Sequence, residues 1–399
     1  MKRESKTVHW GDRRRSSSNS KPSFTPVSTP IYTATSYSYD STEMLDRVFA
    51  HEVEGPSYTR YGNPTIDALE ELVRELEGGA DCVACASGMA ALHLALLAAL
   101  LDRPRRVLCA DAIYGSTASM LMTILGPLGV ETSFADICDV AAVQAAIDET
   151  KPSVILMETI SNPLLRVGEM DKIAAIAREA GAVLIVDGTF ATPLLLRPLE
   201  LGAGIVVHSA TKYLAGHGDV LGGVVVSAPE HKETVRSLAR TLGPVMSPFE
   251  SYLTMRGIKT LAIRVERHCA NACKVASWLS AHPSVDRVYF TGDPGHPDSA
   301  AISRLFPKNQ TGAMVSFEIK NAGRKEIFGF LDRLKMIVRG TSLGDVQTLA
   351  AYPAMSSHRE LTVKHRHRLG IHDNLVRLSI GIEAAEDITD DLEQALAAS

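Results

Sequence analysis

The chain has 399 residues, 45% of them hydrophobic and 22% charged, with a formal net charge of −5. That length admits two or three domains, the charge supplies no basic footprint for nucleic acid, and no apolar run is long enough to span a membrane. Six cysteines occur, and the CxxC formed by Cys82 and Cys85 has no second CxxC or histidine pair in support. They read as reduced thiols of a cytoplasmic protein, and no metal site is expected.

The chain opens on Lys2, Arg3, Lys6 and Arg13 to Arg15, then a serine run to Ser20, with no apolar core of a secretory signal. Residues 1–60 carry few helical signals and read as an extended arm. A domain of residues 61–254 follows, then a smaller one of residues 255–399. At Asn63-Pro64 an asparagine cap and a first-turn proline open a helix. Its stripe is Ile66, Leu69, Leu72, Val73 and Leu76, and Gly78-Gly79 ends it.

A strand-like segment, 82–85, then meets the turn Ala86-Ser87-Gly88 and an Ala/Leu-rich helix reaching about Leu101. Backbone amides of Ser87, Gly88 and Met89 at that helix start would form a phosphate cradle. The apolar run 154–157 leads into Glu158 and on to Asn162-Pro163, where the proline holds Asn162 extended. A helix over 171–181 completes a βαβ unit with the run 182–186, which ends on Asp187. Such continuous apolar runs suit parallel strands buried on both faces.

Ligands of open α/β sheets sit at the carboxyl ends of the strands. Asp187 is therefore placed to meet a pyridine nitrogen and keep it protonated. The run 205–207 leads into Ser209-Ala210-Thr211-Lys212. There two hydroxyls can donate to a phosphate, and a lysine can form a Schiff base with an aldehyde. This is the donor set for pyridoxal phosphate (PLP). Further on, a long helix over 259–279, a strand over 312–318 and a helix over 327–334 are predicted. Arg377 stands in an apolar strand-like segment, where a charge requires a partner or a ligand. His365 and His367, alternating with Arg366 and Arg368, read as a solvated loop. No internal repeat is present.

These stretches together resemble the Cys/Met-metabolism family of PLP enzymes, which includes cystathionine γ-synthase and γ-lyase, methionine γ-lyase and the homoserine sulfhydrylases. The resemblance runs from about Pro30 to Ala397. It rests on YTRYGNPT at 58–65, ASGMAA at 86–91, YGST at 114–117, ETISNP at 158–163, VDGTFATP at 186–193 and HSATKYLAGH at 208–217. It continues through MRGIKTL at 255–261, SLG at 342–344 and VRLSIGIE at 376–383.

The resemblance implies an α/β fold of the type I PLP-transferase kind, with a mostly parallel sheet in a large cofactor domain and a smaller α+β domain. It implies Lys212 as the cofactor lysine and proton shuttle, Asp187 as the pyridinium partner and Tyr114 as the ring-stacking aromatic. Ser87, Gly88, Met89, Ser209 and Thr211 would hold the phosphate. Tyr58 and Arg60 would reach the neighbouring subunit's phosphate, with Tyr58 also transferring protons. Asn162 would meet the ring oxygen, and Arg377, Ser342 and Asn162 the substrate. A homotetramer built as a dimer of dimers, with shared sites and a small amino-acid substrate, is implied too.

MRGIKTL, RHCANA at 267–272, SLGD at 342–345 and GHGD at 216–219 lie closest to methionine γ-lyases. The expected reaction is therefore α,γ-elimination of L-methionine, or a related γ-substituted amino acid, to 2-oxobutyrate, ammonia and a thiol. Ser116 stands where methionine γ-lyases carry cysteine, and Arg240-Thr241 where they carry Lys-Asp. Thr341 stands where cystathionine enzymes carry glutamate, and Gly188 replaces the family's usual asparagine. These departures keep open γ-replacement, by an O-acylhomoserine sulfhydrylase or cystathionine γ-synthase, and cystathionine γ-lyase. Ser116 and Thr341 would line a pocket for an uncharged distal group.

Overall fold

The computed structural model describes residues 1–11, 26–50, 52–359 and 362–397. Arg13 to Arg15, the serine run and the side chain of His365 lie outside what it describes.

The apolar runs form one seven-stranded sheet. Its strands are β1 (Asp81–Cys85), β2 (Arg106–Ala110), β3 (Glu131–Ala135), β4 (Val154–Glu158), β5 (Val183–Asp187), β6 (Ile205–His208) and β7 (Gly223–Ser227). Their order is β1-β7-β6-β5-β4-β2-β3. All pairings are parallel except those of β7, which runs antiparallel to both β1 and β6. β4 is buried at every residue, as a strand covered on both faces must be. Crossover helices, among them Val140–Thr150 and Met170–Glu179, connect the parallel strands. The carboxyl ends of β4, β5 and β6 line up, so Glu158, Asp187 and the turn after His208 share one rim.

The helix Pro64–Glu77 begins on the Asn63 side chain, which accepts from Thr65 N–H, and stops at Gly78 with φ of 80°. The helix Gly88–Leu100 is capped by Ser87. Residues 1–60 differ from the extended arm expected: helices occupy Arg3–His9 and Thr42–Phe49. The second is capped by Ser41. The first rests on the body, with Lys6 Nζ donating to the Glu75 carbonyl at 3.1 Å. Tertiary contact, rather than periodicity, holds so short a helix.

A second sheet contains β8 (Val285–Tyr289), β9 (Met314–Ile319), β10 (Val338–Arg339), β11 (Leu349–Ala351) and β12 (Leu375–Ser379). Its order is β10-β11-β12-β9-β8, antiparallel apart from β10 with β11. The helix Leu261–Ala281 serves both sheets. Leu261, Val265 and Cys269 belong to the large sheet's core, and Ala272, Val275, Ala276 and Leu279 to the small sheet's. Its polar side chains grip both bodies as well. Arg264 donates to the Tyr213 carbonyl at 2.9 Å. The His268 ring meets the Ile380 carbonyl at 2.6 Å, and Asn271 donates to the carbonyls of Gly381 and Glu383. A separate helix, Pro248–Ile258, precedes it across the short turn at Lys259 and Thr260. The sequence reading began the long helix near 259 and offered no helix before it.

Candidate active site

The rim of the large sheet carries the anion cradle. Gly88 and Met89 open the helix Gly88–Leu100, so their N–H groups have no acceptor inside it. A Cβ on Gly88 would fall 2.9 Å from Ser209 Cβ, and one on Gly223 would fall 2.3 Å from the Ser87 carbonyl oxygen. Only glycine admits these approaches, which bring Gly88 against Ser209 and the Ser87 carbonyl against Gly223. Thr189 Oγ1 accepts from Ser209 N–H at 2.9 Å and fixes that turn to the end of β5. Thr211 Oγ1 accepts from Gly222 N–H and donates to its carbonyl.

Asp187 ends β5. Its Oδ1 accepts from Thr189 N–H at 2.9 Å. Burial raises its pKa, opposed by the Thr189 contacts and by nearby His208. His208 in turn is buried on Glu77, Nε2 to Oε2 at 3.0 Å. Gly188 makes room for that ring: a Cβ there would meet His208 Cε1 at 2.5 Å. The glycine therefore seats a histidine beside Asp187.

Lys212 lies one turn beyond β6 and donates from Nζ to Ser342 Oγ at 2.9 Å. Burial, then the charge of Arg377, lower its pKa, while Asp345 acts against them. A neutral amine is thus reached at lower pH than for a free lysine. Arg377, on β12, is 3% exposed. It donates to Asn162 Oδ1 at 2.9 Å and to the carbonyls of Thr341 and Ser342 at 3.3 and 3.2 Å. Its Nε has no partner, and among the described residues it makes no ion pair. Burial lowers its pKa to about 10. A buried cation held only by neutral oxygens lacks a counter-ion, and a carboxylate fits the guanidinium fork in two places. Tyr114 and Tyr213 both stand near enough to Arg377 to perturb it.

Tyr114 is 38% exposed. Its N–H donates to Glu158 at 2.9 Å, and the following Gly115 packs under the Ser357 carbonyl, where a Cβ would come within 2.3 Å. The structure thus brings together Lys212, Ser342, Arg377, Asn162, Thr341 and Tyr114, and beside them Asp187, Ser87, Gly88, Met89, Ser209 and Thr211. It does not bring Tyr58 and Arg60 there within one protomer. Arg60 stacks on the Tyr58 and Tyr61 rings and donates to the Arg240 carbonyl. The side chain of Ser116 is exposed, and Thr341 contributes a carbonyl rather than its hydroxyl.

Sequence reasoning gave no role to Glu158, His208, Asp345 or His358. For Glu158 the signal was present, since a carboxylate ends the apolar run of β4 as Asp187 ends β5. His358 is 3% exposed, and burial, followed by the charges of Arg377 and Arg366, lowers its pKa to about 4. Cys82 and Cys85 are buried free thiols, and burial pushes Cys85 up to about 12. Among the described residues no group of His, Cys, Asp and Glu is placed to hold a metal ion.

An amide cradle at a helix start, a buried carboxylate at a strand end and a desolvated lysine between them fit pyridoxal phosphate. When bound, that cofactor supplies an aldehyde to the lysine and an electron-withdrawing ring for charge developing on a substrate carbon. Fold and site together define a PLP-dependent α/β enzyme of fold type I. The chain belongs to the Cys/Met metabolism PLP-dependent enzymes, whose family model matches residues 7–397.

It is 39% identical to the O-succinylhomoserine sulfhydrylase of Pseudomonas aeruginosa, over 92% of this chain and 90% of that one. It is also 39% identical to the L-methionine gamma-lyase of Pseudomonas putida, over 93% and 92%. Cystathionine gamma synthase from Xanthomonas oryzae pv. oryzae superposes with a TM-score of 0.90 at 36% identity, covering 100% of this chain and 98% of that one. Relatives of equal identity thus bear the names of both elimination and replacement enzymes.

Proposed function

We propose that the protein is a carbon–sulfur lyase that converts L-methionine, or a related γ-substituted amino acid, with water to 2-oxobutyrate, ammonia and a thiol. The observation that carries this reading is Arg377, a buried cation without a counter-ion, joined through Ser342 to Lys212. Arg377 takes the substrate carboxylate, and Asn162 and Ser342 orient it. Lys212 takes the α-proton and carries protons between substrate carbons. Asp187 holds the charge opposite the cofactor's ring nitrogen, and Tyr114 covers the ring. Gly88, Met89, Ser87, Ser209 and Thr211 hold the phosphate. The neutral Thr341 and Ser116 favour an uncharged distal group over the ammonium end of cystathionine.

The exposure of Tyr58, 41%, and its stacking with Arg60 away from Lys212 support a site completed by a second subunit, within a dimer of dimers. If so, mixing Arg60→Ala with Lys212→Ala protein restores part of the activity, because one site in the mixed dimer is intact. No recovery in verified mixed dimers defeats the shared site. The buried thiols Cys82, Cys85, Cys109 and Cys269 fit a reducing, cytoplasmic setting.

The second reading is γ-replacement on an O-acylhomoserine, favoured by the same neutral pocket and by the similarity to a sulfhydrylase. Product analysis of PLP-loaded protein separates the two. L-methionine, L-homocysteine, L-cystathionine and O-acetyl-L-homoserine are each offered with and without a thiol. 2-Oxobutyrate with a thiol from methionine, or with hydrogen sulfide from homocysteine, establishes the lyase. A thioether formed only from the ester plus thiol overturns it.

A further inference from the structure

Glu158 and Asp187 stand opposite each other in the parallel register of β4 and β5. Glu158 is 8% exposed. Its Oε1 accepts the Tyr114 N–H at 2.9 Å, and the Asn162 N–H donates to the same carboxyl. Its Oε2 is buried without a partner. One side chain therefore holds the backbone of the residue assigned to the cofactor's ring face and of the residue assigned to its ring oxygen. It does so beside the carboxylate assigned to the ring nitrogen.

Two carboxylates side by side at a dry strand end do not both ionise readily. The titratable groups facing Glu158 are Asp187 on β5 and Cys109 on β2, and among the described residues no cation faces it. The environments of the two acids differ. Asp187 has the Thr189 side chain and N–H, and His208 nearby, to favour its charge. Glu158 is pushed up to about 8, first by burial and then by Asp187.

We propose that Glu158 is a positioning residue that works as a neutral carboxylic acid, fixing Tyr114 and Asn162 while leaving Asp187 the one negative charge that would serve the cofactor's ring nitrogen. The inference rests on Asp187, Tyr114 and Asn162 forming the cofactor seat. It has a signed consequence. The unfolded chain loses this proton near 4.5, while the folded protein keeps it to about 8. The stability it contributes is full below the unfolded value and is lost as pH rises through the folded one.

The test compares wild type, Glu158→Gln and Glu158→Ala. The readouts are the Tm of cofactor-free protein between about pH 5 and 9, the pH titration of the bound cofactor's absorbance, and the Kd for PLP. Glutamine, neutral and nearly isosteric, is expected to keep the Kd within about threefold. It should flatten the fall in Tm over that range and remove an absorbance transition near the folded value. Alanine is expected to weaken PLP binding about tenfold or more, as two backbone donors lose their acceptor.

Glutamine as damaging as alanine would mean that an ionised carboxylate is required, and overturns the proposal. So does a glutamine variant that keeps the wild-type slope of Tm, or an alanine variant with wild-type PLP affinity. If alanine does not fold, the wild-type and glutamine comparison decides alone. Failure of wild type to take PLP at Lys212, read by peptide mapping after borohydride reduction, removes the seat itself. The Tm slope, taken without cofactor, still reports whether Glu158 keeps its proton.

Discussion

The site has two poles, and they are built differently. Asp187 and Glu158, with Asn162 beyond them, hang from neighbouring strands of one sheet. Their spacing follows from strand register, a local and stiff property. Lys212 and Arg377 come from different sheets and meet only because β12 packs back over the large sheet's rim. Burial works against charge at both poles, raising the acids and lowering the bases. The acid pole settles the conflict internally, by giving the Thr189 contacts to one acid alone. The base pole leaves Arg377 without an anion, so a ligand must supply one. On the proposed roles, the fold completes the cofactor's end and a substrate carboxylate would complete the other.

The most severe test of this contrast is Lys212→Ala. It is expected to lower kcat at least about 10³-fold, as loss of the acid–base group requires. PLP should still bind through Asp187 and the amide cradle, without a covalent link that borohydride can trap. Steady-state rates and absorbance check both.

Arg377→Gln should leave PLP affinity alone and cost about 2–5 kcal/mol in kcat/KM, most of it in KM. An equal loss of PLP affinity would show that the poles are not separate.

Acid pH probes the small sheet and its docking. His268 and His358, 0% and 3% exposed, have pKa values lowered to about 4 from 6.5, chiefly by burial. Their stability contribution is full above the unfolded value and is lost as pH falls towards 4. Each is worth about 3 kcal/mol by linkage. His268→Gln should flatten the acid limb of Tm against pH, a measurement made by calorimetry.

The smallest effect is expected at Ser316, on β9, which donates to the Pro163 carbonyl at 2.7 Å and so ties the small sheet to the turn bearing Asn162. Ser316→Ala strands a buried carbonyl, at about 1–3 kcal/mol. It should raise KM slightly while the PLP Kd stays put.

What the sequence made legible follows the same division. A covered parallel strand needs a continuous apolar run, so β4, β5 and β6 announce themselves, and with them Asp187 and Lys212. The Asn63 cap and the Gly78 stop are local rules that hold locally. The helix Arg3–His9 was illegible because docking, not periodicity, holds it, whereas Thr42–Phe49 carries a local signal, its Ser41 cap, that the sequence reading passed over. The arginine on β12 was visible as a charge in an apolar strand, but its want of a counter-ion became visible only once β12 had docked. Glu158 was visible as the carboxylate that ends the run of β4, but its role was not: its two donors come from backbone at residues 114 and 162, on either side of it, and backbone leaves no signature in side-chain pattern.

One helix spans the base pole. On Leu261–Ala281, Arg264 holds the carbonyl next to Lys212, while His268 and Asn271 hold the chain just past Arg377. These three side chains lie within two turns, at about 1.5 Å of rise per residue. The helix is a ruler laid behind the site. On the proposed roles, it sets the gap between the lysine that would meet a substrate's nitrogen and the arginine that would take its carboxylate. In a β-amino acid those two groups stand one carbon further apart, and a ruler of fixed pitch does not stretch to suit them.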